Sequence, residues 1–269
     1  MKIGNSFLIQ HFLNAVWLIH PEKLKTMTEV ILKKASDING SLNLLQFENK
    51  GTEESIVQRN GSTAILNVEG ILVSKASWLD AMCGMVSTLA IHNQFNMLVE
   101  DPKVERIVLY FDSPGGESTG IPEFAESIFQ ARNKKEIVAF TDVFMCSAAY
   151  WIGSAAEQLI VTPSSIIGSI GVYYSVLKEK AEKAFYDVHI IQAGKNKLFG
   201  SEEIAISDEE IAYFQERVNS NYELFTNAVA KYRNVSQEEV KKTEGSWYDS
   251  IDAPKWMYNE LGNSKLVLS

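Results

Sequence analysis

The spacing of apolar positions changes character near residue 61. Before that point, Leu24, Met27 and Ile31 recur at helical spacing behind Pro21, with acid early and Lys33 and Lys34 late, which predicts a helix. Residues 36–60 are rich in Asn, Ser, Gly and charge and read as a linker or arm. From 61 onward, strand-like runs alternate with helical ones. "TAILNVEGILV" precedes an apolar helix around 78–99, "VERIVLYFD" precedes a helix with Ile121, Phe124, Ala125, Ile128 and Phe129 on one face, and "EIVAFTDV" follows. Strands spaced by helices imply an α/β fold with a largely parallel sheet covered by helices. A capping box, Ser207 with Glu210, opens a long amphipathic helix over 208–232, striped by Ile211, Phe214, Val218, Tyr222, Phe225 and Val229. A second box, Ser236 with Glu239, opens a C-terminal helical segment. The organisation expected is an N-terminal helical arm and linker over 1–60 and one main domain over 61–269.

Composition narrows the function classes. At 269 residues and 46% hydrophobic, the chain can bury one sizeable core. A net charge of -9 disfavours nucleic acid and anionic lipid surfaces as partners. Cys83 and Cys146 supply no disulfide framework, and His11, His20, His92 and His189 form no metal-ligand spacing, so neither a metal nor another cofactor is expected. The longest apolar run of the opening segment, Ala15 to Ile19, falls short of the roughly 7–15 residues of a secretion signal and the roughly 20 of a spanning helix. No membrane insertion and a cytoplasmic location follow as expectations.

Four short stretches could carry chemistry. In "YFDSPGGES" an apolar strand ends at Asp112, and Pro114-Gly115-Gly116 turns the backbone so that its amides can face a developing oxyanion. In "FMCSAAYWIGSAA" Ser147 follows a strand and opens a helix, where it reads either as a nucleophile or as an ordinary N-cap. Cys146 beside it reads as a small buried hydrophobe. Ser147 needs a base, and His189 lies in a probable strand, "YDVHIIQAG". Lys195 and Lys197, just past that strand, could serve if burial lowered an amine's pKa towards neutrality, or could be surface lysines. In "TPSSIIGSIGV" Ser169 sits between Gly168 and Gly171, able to orient an amine or to bond its own backbone.

Taken in order, "DSPGG", "CSAAYW", "GSIGV" and "AGKNK" resemble the serine peptidases of the signal peptide peptidase A family over about residues 61–262. "VWLIHPEKL" and "SAAYW" are similar to the family's phage branch of capsid-assembly or prohead proteases. The resemblance implies a Clp-protease/crotonase-like fold of repeated β-β-α units. It implies Ser147 as nucleophile, Lys197 as general base with Lys195 as fallback, Ser169 as the residue orienting the lysine, and Gly115 and Gly116 as the oxyanion hole. It further implies a polypeptide substrate such as scaffold or capsid proteins, action in the host-cell cytoplasm including a procapsid, and assembly into a ring of unknown size. The competing readings are a cellular peptidase degrading signal or membrane peptides, a crotonase-like acyl-CoA enzyme, and a catalytically idle assembly protein.

Overall fold

The computed structural model describes residues 16–19, 56–76, 84–175, 192–197, 199–200, 205–263 and 267. The helix expected behind Pro21 and the strand expected at His189 lie outside the described residues. In chain order the strands and helices are β1 (Val16–Ile19), β2 (Val57–Asn60), β3 (Thr63–Glu69), β4 (Ile71–Val73), β5 (Met85–Ser87), α1 (Thr88–Glu100), β6 (Arg106–Asp112), β7 (Gly115–Glu117) and α2 (Ile121–Ala131). They continue as β8 (Glu136–Thr141), β9 (Phe144–Cys146), α3 (Ala148–Ser154), β10 (Gln158–Val161), β11 (Ile166–Gly168), β12 (Tyr173–Tyr174), α4 (Asp208–Arg233), α5 (Gln237–Lys241), β13 (Trp247–Asp249) and β14 (Glu260–Leu261).

A repeated motif builds the domain: a strand of the main sheet bends sharply and hands the chain to a short strand of another sheet. The pairs are β3 with β4, β6 with β7, β8 with β9, and β10 with β11, and the second and third pairs each lead into a helix. The main sheet has the order β14-β10-β8-β6-β3-β2. Its pairings are parallel except for β2, which closes one edge antiparallel to β3. The bent-off strands form two smaller sheets, β12-β1-β7-β4-β5 and β13-β11-β9. This is the mixed α/β architecture that the alternation of strands and helices predicts.

Strand periodicity divides the apolar residues between two faces. Ala64, Leu66, Ile107, Leu109, Phe111, Ile137 and Ala139 join the large core beneath the helices. Ile65, Val108, Val138, Phe140 and Ile160 form a smaller cluster on the opposite face, closed by Val267. On the helical side α1 packs on α2, α2 on α3, and α3 on α4. Trp151 of α3 stacks on Phe225 of α4 at 4.5 Å between ring centroids.

Three segments depart from their sequence reading. "TAILNVEGILV" is two strands, because Gly70 bends the chain out of the main sheet after β3. The helix expected around 78–99 begins only at Thr88. Residues 77–83 are outside the described set, Met85–Ser87 pairs with β4, and the Ser87 hydroxyl caps the helix by accepting from the Ala90 N–H at 3.2 Å. Residues 57–60, read as the end of a linker, are the edge strand of the main sheet. The 208–232 helix stands as expected, but its stripe is buried only from Phe225 onward, and Ile211 and Leu224 remain exposed.

Candidate active site

Among the described residues four serines occupy N-cap positions, and one of them differs from the rest. Ser87, Ser207 and Ser236 have extended backbone, and each hydroxyl accepts from the N–H three residues on, as an N-cap should. Ser147, which precedes α3, has φ 55 and ψ -118 and makes no side-chain cap hydrogen bond. A β-carbon in that region costs about 1–3 kcal/mol, so the conformation persists only where surrounding structure enforces it. Here the Ser147 N–H donates to the Gly168 carbonyl at 2.7 Å, and its carbonyl accepts from the Trp151 N–H at 2.9 Å. The residue is 1% exposed, and the seven residues of the helix it precedes are all buried.

Register brings the other predicted groups alongside. β9 and β11 run parallel with Cys146 opposite Gly168, so Ser147 and Ser169 are the next residues of adjacent strands. Ser169 shares the unusual backbone, φ 55, and is buried, with its N–H donating to the Ser246 carbonyl at 2.7 Å. Gly168 holds this junction at φ 108, and a β-carbon there would lie 2.8 Å from the Ser246 carbonyl oxygen. On the other flank of β9, Ser113 pairs with Met145, and the Cys146 N–H donates to the Ser113 carbonyl at 3.1 Å. The bend carrying Gly115 and Gly116 is thereby tied to the strand that delivers Ser147.

That bend is tightly built. The Ser113 hydroxyl donates to the Gly70 carbonyl at 2.7 Å and accepts from the Gly115 N–H at 3.2 Å. A β-carbon on Gly116 would sit 1.9 Å from the Leu72 carbonyl oxygen, so only glycine lets β7 approach β4. Two contributions escaped sequence reasoning. Ser113 braces the bend through its hydroxyl, and Ala148, the first residue of α3, carries one of the N–H groups that a helix leaves without an internal partner. The D-S-P-G-G order could have flagged the first, and nothing but the strand-to-helix junction could have flagged the second.

The lysines sit differently. Lys195 and Lys197 are both exposed in the single chain, within a turn. Lys195 forms an ion pair with Glu209 at 2.5 Å, and the Lys197 N–H donates to the Gly194 carbonyl at 3.1 Å. Among the described residues no hydrogen bond joins Lys197 to Ser147 or Ser169. Cys146, by contrast, is fully buried, and burial pushes its thiol up to about 12, away from the thiolate form that a nucleophile needs. Beside Ser169 opens a cavity of about 440 Å³ lined by Val172, Tyr173, Glu244, Gly245, Ser246 and Trp247. The Tyr173 hydroxyl is buried with no hydrogen-bond partner among the described residues, and burial raises its pKa.

Residues 129–265 match the model of peptidase family S49. The chain belongs to peptidase family S49. The matched stretch includes Ser147, Ser169, Lys195 and Lys197 and begins after Gly116. Within this family, the chain is 31% identical over 206 residues to capsid assembly protease C of Escherichia phage lambda, covering 75% of this chain and 46% of that protein. It is 30% identical over 188 residues to the head-tail preconnector protein GP5 of Enterobacteria phage P21, covering 69% and 38%. It is 32% identical over 183 residues to a putative signal peptide peptidase SppA of Enterococcus faecium, covering 65% and 52%. The S49 chain thus spans about half or less of the length of these relatives. Among the described residues, no helix is long and apolar enough to cross a membrane.

Proposed function

We propose that this S49 chain is a serine endopeptidase in which Ser147 is the nucleophile, Lys197 the general base and Ser169 the residue that orients the amine. One observation carries the reading: among the described N-cap serines Ser147 alone is held off its capping conformation, at a conformational cost, beside a second serine that also has a positive φ. A serine whose only role was to cap would relax as the other three do.

In the first step a neutral Lys197 amine takes the Ser147 hydroxyl proton as the oxygen attacks a peptide carbonyl carbon. The carbonyl oxygen becomes an oxyanion, received by amides of the Gly115-Gly116 bend together with the Ala148 N–H. Collapse expels the amine half of the substrate, which leaves with the proton from Lys197. Water then repeats the sequence on the acyl-enzyme. Two adjustments belong to this reading. The Gly115 N–H must turn from the Ser113 hydroxyl if it is to serve, and Lys197 must lose its exposure, because a solvated ammonium holds its proton too firmly to act as a base. A second copy of the chain covering residues 192–197 would achieve the latter, in keeping with the exposed apolar residues Ile206, Ile211 and Leu224 on and before α4.

The substrate we infer is a scaffold or capsid protein cleaved during phage head assembly, in the host cytoplasm or a procapsid, on the strength of the names of the two phage relatives. The Enterococcus relative supports a second reading, a cellular peptidase acting on signal peptides. Fluorophosphonate labelling tests the chemistry. Covalent modification of Ser147, lost in Ser147→Ala and slowed in Lys197→Ala, is the expected result, and an unmodified serine in the active assembly would overturn it. Incubation with scaffold and coat proteins from the same genome, against a signal peptide, separates the two substrate readings.

A further inference from the structure

Between β7, which follows the bend tied to the Ser147 strand, and β12 lies a place one strand wide, and β1 of the same chain fills it. β7 pairs with β4 on one side and with β1 on the other, and β12 has β1 as its neighbour in that sheet. Both walls come from the catalytic segments: β7 follows the Asp112-Ser113-Pro114 bend, and β12 lies four residues beyond Ser169. β1 runs antiparallel to both, with Val16 opposite Tyr174, Trp17 opposite Glu117 and Tyr173, Leu18 opposite Gly116 and Ile19 opposite Gly115. Its C-terminal end therefore points at the bend that braces Ser147. An extended peptide offered to a serine nucleophile would take the same place and the same direction, hydrogen-bonded along both edges.

Resting on the assignment of Ser147 as nucleophile, we infer that Val16–Ile19 is a built-in competitor that closes the groove to peptides until it is displaced. The occupant is apolar along its whole length, Val-Trp-Leu-Ile, and it belongs to the same chain, so it competes at an effective concentration that dilution does not lower. A free peptide of similar intrinsic affinity must compete against that concentration. Substrates that succeed are those that bind more than the four residues which β1 engages, as an extended segment of a protein can.

The test replaces two ladder donors without touching the site, in Trp17→Pro with Leu18→Pro. Binding of a fluorescein-labelled peptide Ala-Val-Trp-Leu-Ile is read by anisotropy in the full chain carrying Ser147→Ala, with and without the proline pair. Binding at least tenfold tighter with the prolines is expected, and equal or weaker binding overturns the inference. If the prolines lower the melting temperature, Trp17→Gly with Leu18→Gly takes their place, with the same expectation. Fluorophosphonate labelling in the Ser147 background separates the two claims. Tighter peptide binding with no labelling in either chain would sink the nucleophile and keep the groove. Rapid labelling in both chains with unchanged peptide binding would sink the competitor and keep the nucleophile.

Discussion

The shelf that holds Ser147 and the turn that holds Lys197 are built to opposite standards. Ser147 is 1% exposed and fixed by hydrogen bonds through both its amide and its carbonyl, between β11 on one side and the Ser113 bend on the other. The 192–197 turn is exposed in the single chain, and its side-chain ion pair, between Lys195 and Glu209, joins two groups that are 74% and 55% exposed. Ion pairs of that kind contribute about 0–1 kcal/mol. One half of the proposed dyad is thus buried and fixed in the single chain, and the other half is exposed in it.

Removing the buried half should have the largest effect. Ser147→Ala is expected to lower kcat by a factor on the order of 10⁶, the scale seen when a serine nucleophile is deleted. Ser147→Gly sharpens the comparison, because glycine is at ease at φ 55. It should abolish cleavage while raising stability by about 1 kcal/mol, read as a higher midpoint in a urea titration. A stability loss instead would mean that the hydroxyl, not the backbone, holds the shelf.

The exposed half should respond to concentration as well as to mutation. Lys197→Ala is expected to cost at least about 10⁴-fold in kcat, and Lys195→Ala less than about threefold, since its lost ion pair is a surface one. If a neighbouring copy covers Lys197, specific activity should fall on dilution in step with dissociation followed by light scattering. Activity that is constant per chain down to fully dissociated protein would confine the dyad to one subunit and demand another way of drying the amine.

Gly116→Ala probes the bend between these extremes. The added carbon would meet the Leu72 carbonyl oxygen at 1.9 Å, so β7 must move away from β4. Displacing one oxyanion donor costs about 10²–10³ in kcat, with KM less affected because the interaction matures only in the transition state. A variant that kept wild-type kcat would remove the Gly-Gly amides from the mechanism.

The same contrast divides what could be read from the chain alone. Where side chains pattern at a fixed period and end at a cap, the reading holds: β6 spans Arg106–Asp112, α2 begins at Ile121, and Ser207 starts a helix of 26 residues. Features set by distant partners were out of reach. "TAILNVEGILV" is a continuous apolar pattern, and only the second sheet, which takes β4 against β5, tells that it divides at Gly70. The apolar run before α1 carries no mark separating Met85–Ser87 from the helix, because short apolar strands and buried helices share their composition. Ser147 itself has the sequence signature of an N-cap, and its departure from one goes with the hydrogen bond its N–H makes to the Gly168 carbonyl on the neighbouring strand.

Cys146 gives the smallest effect and tests whether the shelf depends on chemistry or only on shape. Its thiol is buried, with Sγ 3.6 Å from the Ile166 carbonyl oxygen, and its pKa rises from 9.0 to about 12 because burial disfavours the thiolate. At neutral pH the folded chain therefore holds a negligible thiolate fraction, and Cys146→Ala should change kcat by less than about threefold, within the range of a small repacking. The pH dependence of stability carries the sign. Folding favours the protonated thiol, so this contribution is whole below about pH 9 and declines as the pH climbs from 9 towards 12. Wild type should lose stability over that window faster than Cys146→Ala, by denaturant titration at matched pH. Iodoacetamide should leave the folded wild type unmodified at pH 8, whereas rapid alkylation with loss of activity would return the thiol to contention as the nucleophile.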